Sequence, residues 1–205
     1  MAEGFIKTKK LESFYILAGD EEFFRGEFIK ELFETFLAGK VDDSSMETFD
    51  ISEKNEDISA ASIIESAKTA PFFSEKKFIL IKNFTKFKKD GMSQLLDFLP
   101  QIPEFTTMVL TTTDDAKDIL GMGLPSKNII NISASQAADM KNWAAGYLKP
   151  LGKSIDPEVL EYIITESNFE PAIVKNELDK MILISGDKKD IAMEDFSAIR
   201  GVDRG

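Results

Sequence analysis

Five short apolar runs constrain this chain more than any other feature. Phe14-Tyr15-Ile16-Leu17-Ala18 is closed by Gly19-Asp20, Met46–Ile51 reads METFDI, and Phe78–Ile81, Thr107–Thr112 and Ile129–Ile132 follow. Each is too short for a stable helix and rich in residues that suit a pleated surface, which makes it a strand. Apart from METFDI they scarcely alternate between apolar and polar positions, so both of their faces have to be covered. The segments between them carry helical spacing. Strand and helix taking turns in this way builds a parallel sheet with helices on both faces. The expected fold of residues 1–133 is a five-stranded α/β layer of that kind.

The first crossover shows the helical period most clearly. Phe24, Phe28, Leu32 and Phe36 form one track spaced by four, and Ile29, Phe33 and Leu37 form a second beside it, with Gly39 as the stop. Ile58–Ala70 is a second helix halted by Pro71, and Met92–Leu99 belongs to a third. Near residue 134 the strands cease. Ser135 is placed to cap a helix through Met140, Trp143, Ala144, Tyr147 and Leu148, stopped by Pro150-Leu151-Gly152. Asp156-Pro157-Glu158 starts the next, with Val159, Leu160, Ile163 and Ile164 facing inward. Pro171 opens a third, carrying Ile173, Val174, Leu178, Met181 and Ile182, with Ile184-Ser185-Gly186 at its end. A short fourth runs from about Met193 to Ile199. Residues 134–205 therefore read as a small all-helical domain.

Composition removes chemistry. The 205 residues contain no histidine and no cysteine. Imidazole general bases, thiolate nucleophiles, disulfides and the usual zinc and iron–sulfur sites are excluded. A net charge of −11 disfavours autonomous nucleic-acid binding by the whole surface. No apolar run approaches the length of a membrane span and no signal-like stretch follows Met1, so a cytoplasmic protein is expected. Seventeen phenylalanines against three tyrosines and one tryptophan are mostly core material.

A phosphate loop would follow the first strand, where glycines admit the phosphates and a GK[ST] sequence supplies lysine and a metal ligand. The turn here is Gly19-Asp20-Glu21-Glu22, whose carboxylates repel a triphosphate and suit capping of the helix that follows. The strand Phe78–Ile81 ends in Lys82-Asn83 and not in magnesium-binding carboxylates. Asp114-Asp115 reads as a loop pair or a helix cap. No catalytic, nucleotide-binding, metal or cofactor residue is assigned. The architecture is that of a nucleotide-binding protein without its nucleotide machinery.

Two segments carry interaction chemistry. In Thr69–Lys77 (TAPFFSEKK) a helix ends at Pro71, and Phe72 and Phe73 sit side by side in the connection to the next strand. They either plug the loop onto the core or protrude toward a partner pocket. Beside them, Lys82–Lys89 (KNFTKFKK) interleaves Lys82, Lys86, Lys88 and Lys89 with Phe84 and Phe87. With Lys76 and Lys77 these form a basic stretch facing only Glu75 and Asp90, suited to DNA or an acidic partner, or else a solvated segment anchored by its two rings.

The chain resembles the delta subunit of the bacterial DNA polymerase III clamp loader. FYILAGDEEFF (residues 14–24) is similar to the family's first strand and degenerate phosphate-loop position, and TAPFFSEKKFILIKN (residues 69–83) is the most specific likeness. QIPEFTTMVLT (residues 101–111) resembles the lead into the next strand. Leu151-Gly152, Ile155-Asp156-Pro157-Glu158 and Asn176–Met181 resemble the second domain. The resemblance implies a Rossmann-like AAA+-type sheet domain over 1–133, lacking a phosphate loop and serving as the candidate clamp-binding domain. A small helical AAA+-type domain over 134–205 completes the implied pair. It also implies a non-catalytic subunit that opens the β sliding clamp with an apolar pair, here Phe72 and Phe73, lined by Pro71 and Ser74. The chain itself is then not expected to be an ATPase, although the family belongs to the DNA polymerase III holoenzyme. ATPase subunits and a delta-prime subunit are implied partners through a C-terminal collar domain, expected to be absent from this chain. DNA is implied as an indirect or weak contact, and membranes not at all. The competing readings are a DNA-binding module using Lys82–Lys89, and a nucleotide-responsive enzyme on the same sheet.

Overall fold

A computed structural model describes residues 10–51, 58–132 and 137–195. The chain divides into two compact units between Ser133 and Ala134. In the first, β1 (Phe14–Ala18), β2 (Met46–Asp50), β3 (Lys77–Lys82), β4 (Thr106–Thr112) and β5 (Ile129–Asn131) form one sheet in the order β2-β3-β4-β1-β5. Every pairing is parallel, with Ile16 opposite Leu110 and Ile129, and Phe78 opposite Thr107 and Met46. Burial follows position in the sheet. All residues of β1 and β4 are buried, as inner strands must be, whereas β2 at one edge is only partly covered. That explains why METFDI alone alternates.

Side chains on alternate residues separate the two faces. Phe14, Ile16 and Ala18 of β1 join Ile79 and Ile81 of β3 and Met108 and Leu110 of β4 on one face. There they meet Ala60, Ile63 and Ala67 of α2 (Ala60–Lys68) and Leu95 and Phe98 of α3 (Lys89–Phe98). Ile119 of α4 (Ala116–Leu120) completes the cluster. The opposite residues face α1 (Glu22–Leu32) and the turn after it, where Tyr15 meets Phe28 edge-on at 5.3 Å between centroids and Phe78 meets Phe33 at 4.8 Å. The four-residue track of α1 holds through Phe24, Phe28 and Leu32, all buried. It then fails, because residues Phe33–Leu37 form a π-turn that buries Leu37 and leaves Phe36 half-exposed. A π-turn adds a residue to the repeat, so the buried position moves from i+4 to i+5.

The second unit holds α5 (Ala137–Leu148), α6 (Pro157–Glu166) and α7 (Pro171–Ser185). Asp156 caps α6 by accepting the Glu158 N–H at 2.8 Å, with Pro157 in the first turn. Along α7 the buried residues are Pro171, Val174, Leu178, Met181 and Ser185, a stripe spaced by three and four. Ile173 and Ile184 stand off that stripe and are exposed. A parallel pairing of Ser154–Ile155 (β6) with Asp190–Ile191 (β7) adds to the helices, two residues a side being too short for any periodic signal. Lys153 reinforces it by donating to Ser185 Oγ and to the carbonyls of Gly186 and Lys188. Residues 193–195 begin a helical turn whose continuation lies outside the described residues, as does the Ser135 cap. At that turn Asp195 accepts the Ala192 N–H at 3.1 Å, which is the return half of a capping box in the absence of a Ser or Thr. Among the described residues no helix is long and apolar enough to cross a membrane.

Candidate functional site

The aromatic pair sits where α2 hands over to β3. The helix closes at Lys68, with the Thr69 N–H on the carbonyls of Glu65 and Ser66. Pro71 bars further helix, since it lacks an N–H and disfavours helical geometry in the residue before it. Two fixings then hold the far side of the loop. The Ser74 and Ser45 hydroxyls lie 2.5 Å apart, and the Lys76 N–H donates to the Lys40 carbonyl at 2.8 Å. Asp42 accepts the Ser45 hydroxyl at 2.7 Å and the Ser44 hydroxyl at 2.8 Å, and these bonds hold the Asp42 carboxyl below its ordinary pKa. Between the two anchored ends the chain bends outward. Phe72 is 92% exposed and Phe73 82%, their rings tilted together at 5.7 Å between centroids. Of the two arrangements open from the sequence, the pair protrudes.

The base beneath the loop is rigid. Lys77, buried at the start of β3, pairs with Glu47 at 2.6 Å and donates to the Ser66 carbonyl at 2.8 Å. Ser66 Oγ reaches both Glu47 oxygens at 2.7 Å, and Thr106 Oγ1 donates to the Ala67 carbonyl at 2.8 Å. Burial acts to raise the Glu47 pKa. Hydrogen bonds from Lys77 and Ser66, together with the Lys77 charge, outweigh it, so this carboxyl titrates below its ordinary value.

The basic stretch does not form one surface with the pair. Lys77 is buried and neutralised, and Lys76 Nζ is taken up by the Glu104 carbonyl. Lys82, Lys86, Lys88 and Lys89 are exposed, but they lie at and beyond the end of β3, whereas Phe72 and Phe73 precede its start. Five strand steps of about 3.3 Å put roughly 16 Å between the two ends. Sequence adjacency misled here because a strand carries its flanking residues to its opposite ends. Phe84 is fully buried and Phe87 packs half-buried against the core, so both rings anchor the segment.

The phosphate-loop position is occupied by the protein's own groups. Glu21 Oε1 accepts the Phe23 N–H at the start of α1, and Arg25 Nη2 donates to the Gly19 carbonyl at 2.8 Å. Asp115 caps α4 through the Lys117 N–H at 2.8 Å, and Asp114 accepts the Thr112 hydroxyl at 2.9 Å. Among the described residues no three carboxylates are grouped to hold a metal ion. The sequence reading missed the supporting residues Lys40, Asp42, Ser45 and Glu104. Asp42-Asp43-Ser44-Ser45 does carry a turn signature, but nothing local shows that it faces Ser74 across the sheet edge.

A parallel sheet of this order with a small helical unit after it is the architecture of an AAA+-like module. The family model described as DNA polymerase III, delta subunit matches residues 15–120, and the chain belongs to that family. It is 21% identical over 206 residues to DNA polymerase III subunit delta of Bacillus subtilis (strain 168), covering 95% of this chain and 58% of that relative. The solved structure titled Bacillus subtilis DNA clamp loader delta protein matches with a TM-score of 0.75 at 20% identity, over 95% of this chain and 59% of that one. The chain thus spans somewhat over half the length of these relatives.

Proposed function

We propose that this chain is the clamp-binding portion of a non-catalytic clamp loader delta subunit, which binds and opens a β sliding clamp in DNA replication. The observation that carries the reading is the solvent-exposed Phe72–Phe73 pair on a loop pinned at both ends. A pair so placed pre-pays the ordering cost of binding and offers roughly 1.5–3 kcal/mol for each ring fully buried in a pocket. Pro71 ends the helix that aims the loop, and Ser74 positions its far side through Ser45. Opening follows if the pocket accepts the rings better in a sprung clamp than in a closed ring, since differential affinity shifts the equilibrium. No covalent step is involved. Through a collar domain the full-length subunit would meet the loader's ATPase subunits and a delta-prime subunit in the cytoplasm, with DNA at most a weak contact.

The test is a β clamp carrying a donor and an acceptor dye across one subunit interface. Adding this chain should lower energy transfer, and the Phe72→Ala/Phe73→Ala variant should leave it unchanged. Equal opening by the folded variant would overturn the assignment of the pair.

A further inference from the structure

The last turn of α2 is bonded to three strands at once. A helix leaves its final carbonyls without partners in its own ladder. Here the Glu65 carbonyl takes the Thr69 hydroxyl at 2.9 Å, from the same segment. The next two are served from the sheet. Lys77, first in β3, donates to the Ser66 carbonyl at 2.8 Å, and Thr106, first in β4, donates to the Ala67 carbonyl at 2.8 Å. Lys77 and Thr106 stand opposite each other in the ladder, so the two donors form one short row. Glu47 of β2 extends it, pairing with Lys77 at 2.6 Å and accepting the Ser66 hydroxyl at 2.7 Å. Lys77 also brings a positive charge to the negative end of the α2 dipole. On the remaining side Lys68, the last residue of α2, lies over the Phe98 ring of α3 at 5.4 Å from its centroid.

Burial keeps these bonds from exchanging with water. Ala67, Lys77 and Thr106 are all buried, so a broken bond leaves a carbonyl with nothing to replace the donor. The loop that carries Phe72 and Phe73 starts directly from this turn, and any freedom in the turn passes to the rings. Rings on a compliant root follow their pocket wherever the clamp holds it, and then fit closed and sprung clamps alike. A ligand of equal affinity for two states shifts nothing, however tightly it binds. A fixed root makes the rings fit one pocket position better than another, which is the differential affinity that opening requires. We propose that Thr106 and Lys77 are positioning residues for clamp opening. They hold the last turn of α2 on the sheet, and so convert binding of Phe72 and Phe73 into opening of the ring. This role rests on the clamp reading above, and adds to it the residues that resist the restoring force of the clamp.

The experiment titrates the dye-labelled β clamp with the chain and reads two quantities, the affinity and the change in energy transfer at saturation. Thr106→Val keeps the shape of the side chain and removes its hydroxyl donor. Its affinity should stay within about threefold of wild type, while the change in energy transfer at saturation falls to about half or less. Thr106→Ser restores the donor and should restore the change. A merely structural defect would do the reverse, lowering affinity with the folded fraction and leaving the change at saturation intact. If Thr106→Val does not fold, Ser66→Ala, which breaks only the hydroxyl tie to Glu47, should show the same split. A folded Thr106→Val that opens the clamp as far as wild type would overturn the positioning role, as would failure of Thr106→Ser to restore opening. A wild-type chain that leaves energy transfer unchanged would overturn the clamp reading itself.

Discussion

Phe72 and Phe73 contribute almost nothing to the fold, because water already covers them. Replacing both by alanine should move stability by no more than about 0.5 kcal/mol, measured by urea unfolding. Lys77 is the opposite case. Its ammonium is buried against Glu47, and Lys77→Met leaves that carboxylate half-buried without its cation. A loss of about 1–3 kcal/mol is expected by the same measurement. The pair also sets a pH dependence. Because the folded-state pKa of Glu47 is lowered, its contribution is fully present above the unfolded glutamate value and is lost as pH falls through the folded one. Glu47→Gln should therefore flatten the fall in stability below about pH 4.3, followed by thermal unfolding across an acid series. Residue roles of this kind were unevenly legible. Glu21 and Asp156 announced themselves as caps by their place before a helical period, whereas Lys77 looked like one more surface lysine because its partner lies on another strand.

At the scale of elements, the strands were readable because burial on both faces leaves almost no polar residues in them. The α1 helix was readable as far as Leu32 and not beyond, since a π-turn changes the repeat without changing composition. The loop after α2 was recognisable as a special segment, but its direction was not. Adjacent phenylalanines in a connection are compatible with inward or outward packing, and the choice is made by Ser45 and Lys40, about thirty residues earlier in the chain. Ser74→Ala should accordingly weaken clamp binding several-fold by loosening the loop while both rings remain, with a stability cost of about 0.5–1.5 kcal/mol. The start of α3 makes a prediction of opposite sign. Lys88→Ser supplies the missing cap and removes a charge from the positive end of the helix. It should stabilise the chain by about 0.5–1 kcal/mol, read from the urea midpoint.

Over the whole molecule, a net charge of −11 describes neither candidate surface. The parallel sheet sorts the segment after α2 into an apolar projection at the strand starts and a cationic ridge at the strand ends. This separation was invisible in the sequence, where the two stretches are neighbours. The absence of histidine and cysteine removes imidazole and thiolate chemistry, and Glu21 caps the start of α1. The central claim is that the protruding pair is the clamp contact. It is tested most directly by the equilibrium affinity of the chain for a β sliding clamp, with and without Phe72→Ala/Phe73→Ala, alongside an unfolding curve for each. Unchanged unfolding with a loss of affinity of about 100-fold or more is the predicted result. A folded double variant that binds the clamp as tightly as the wild-type chain would contradict it.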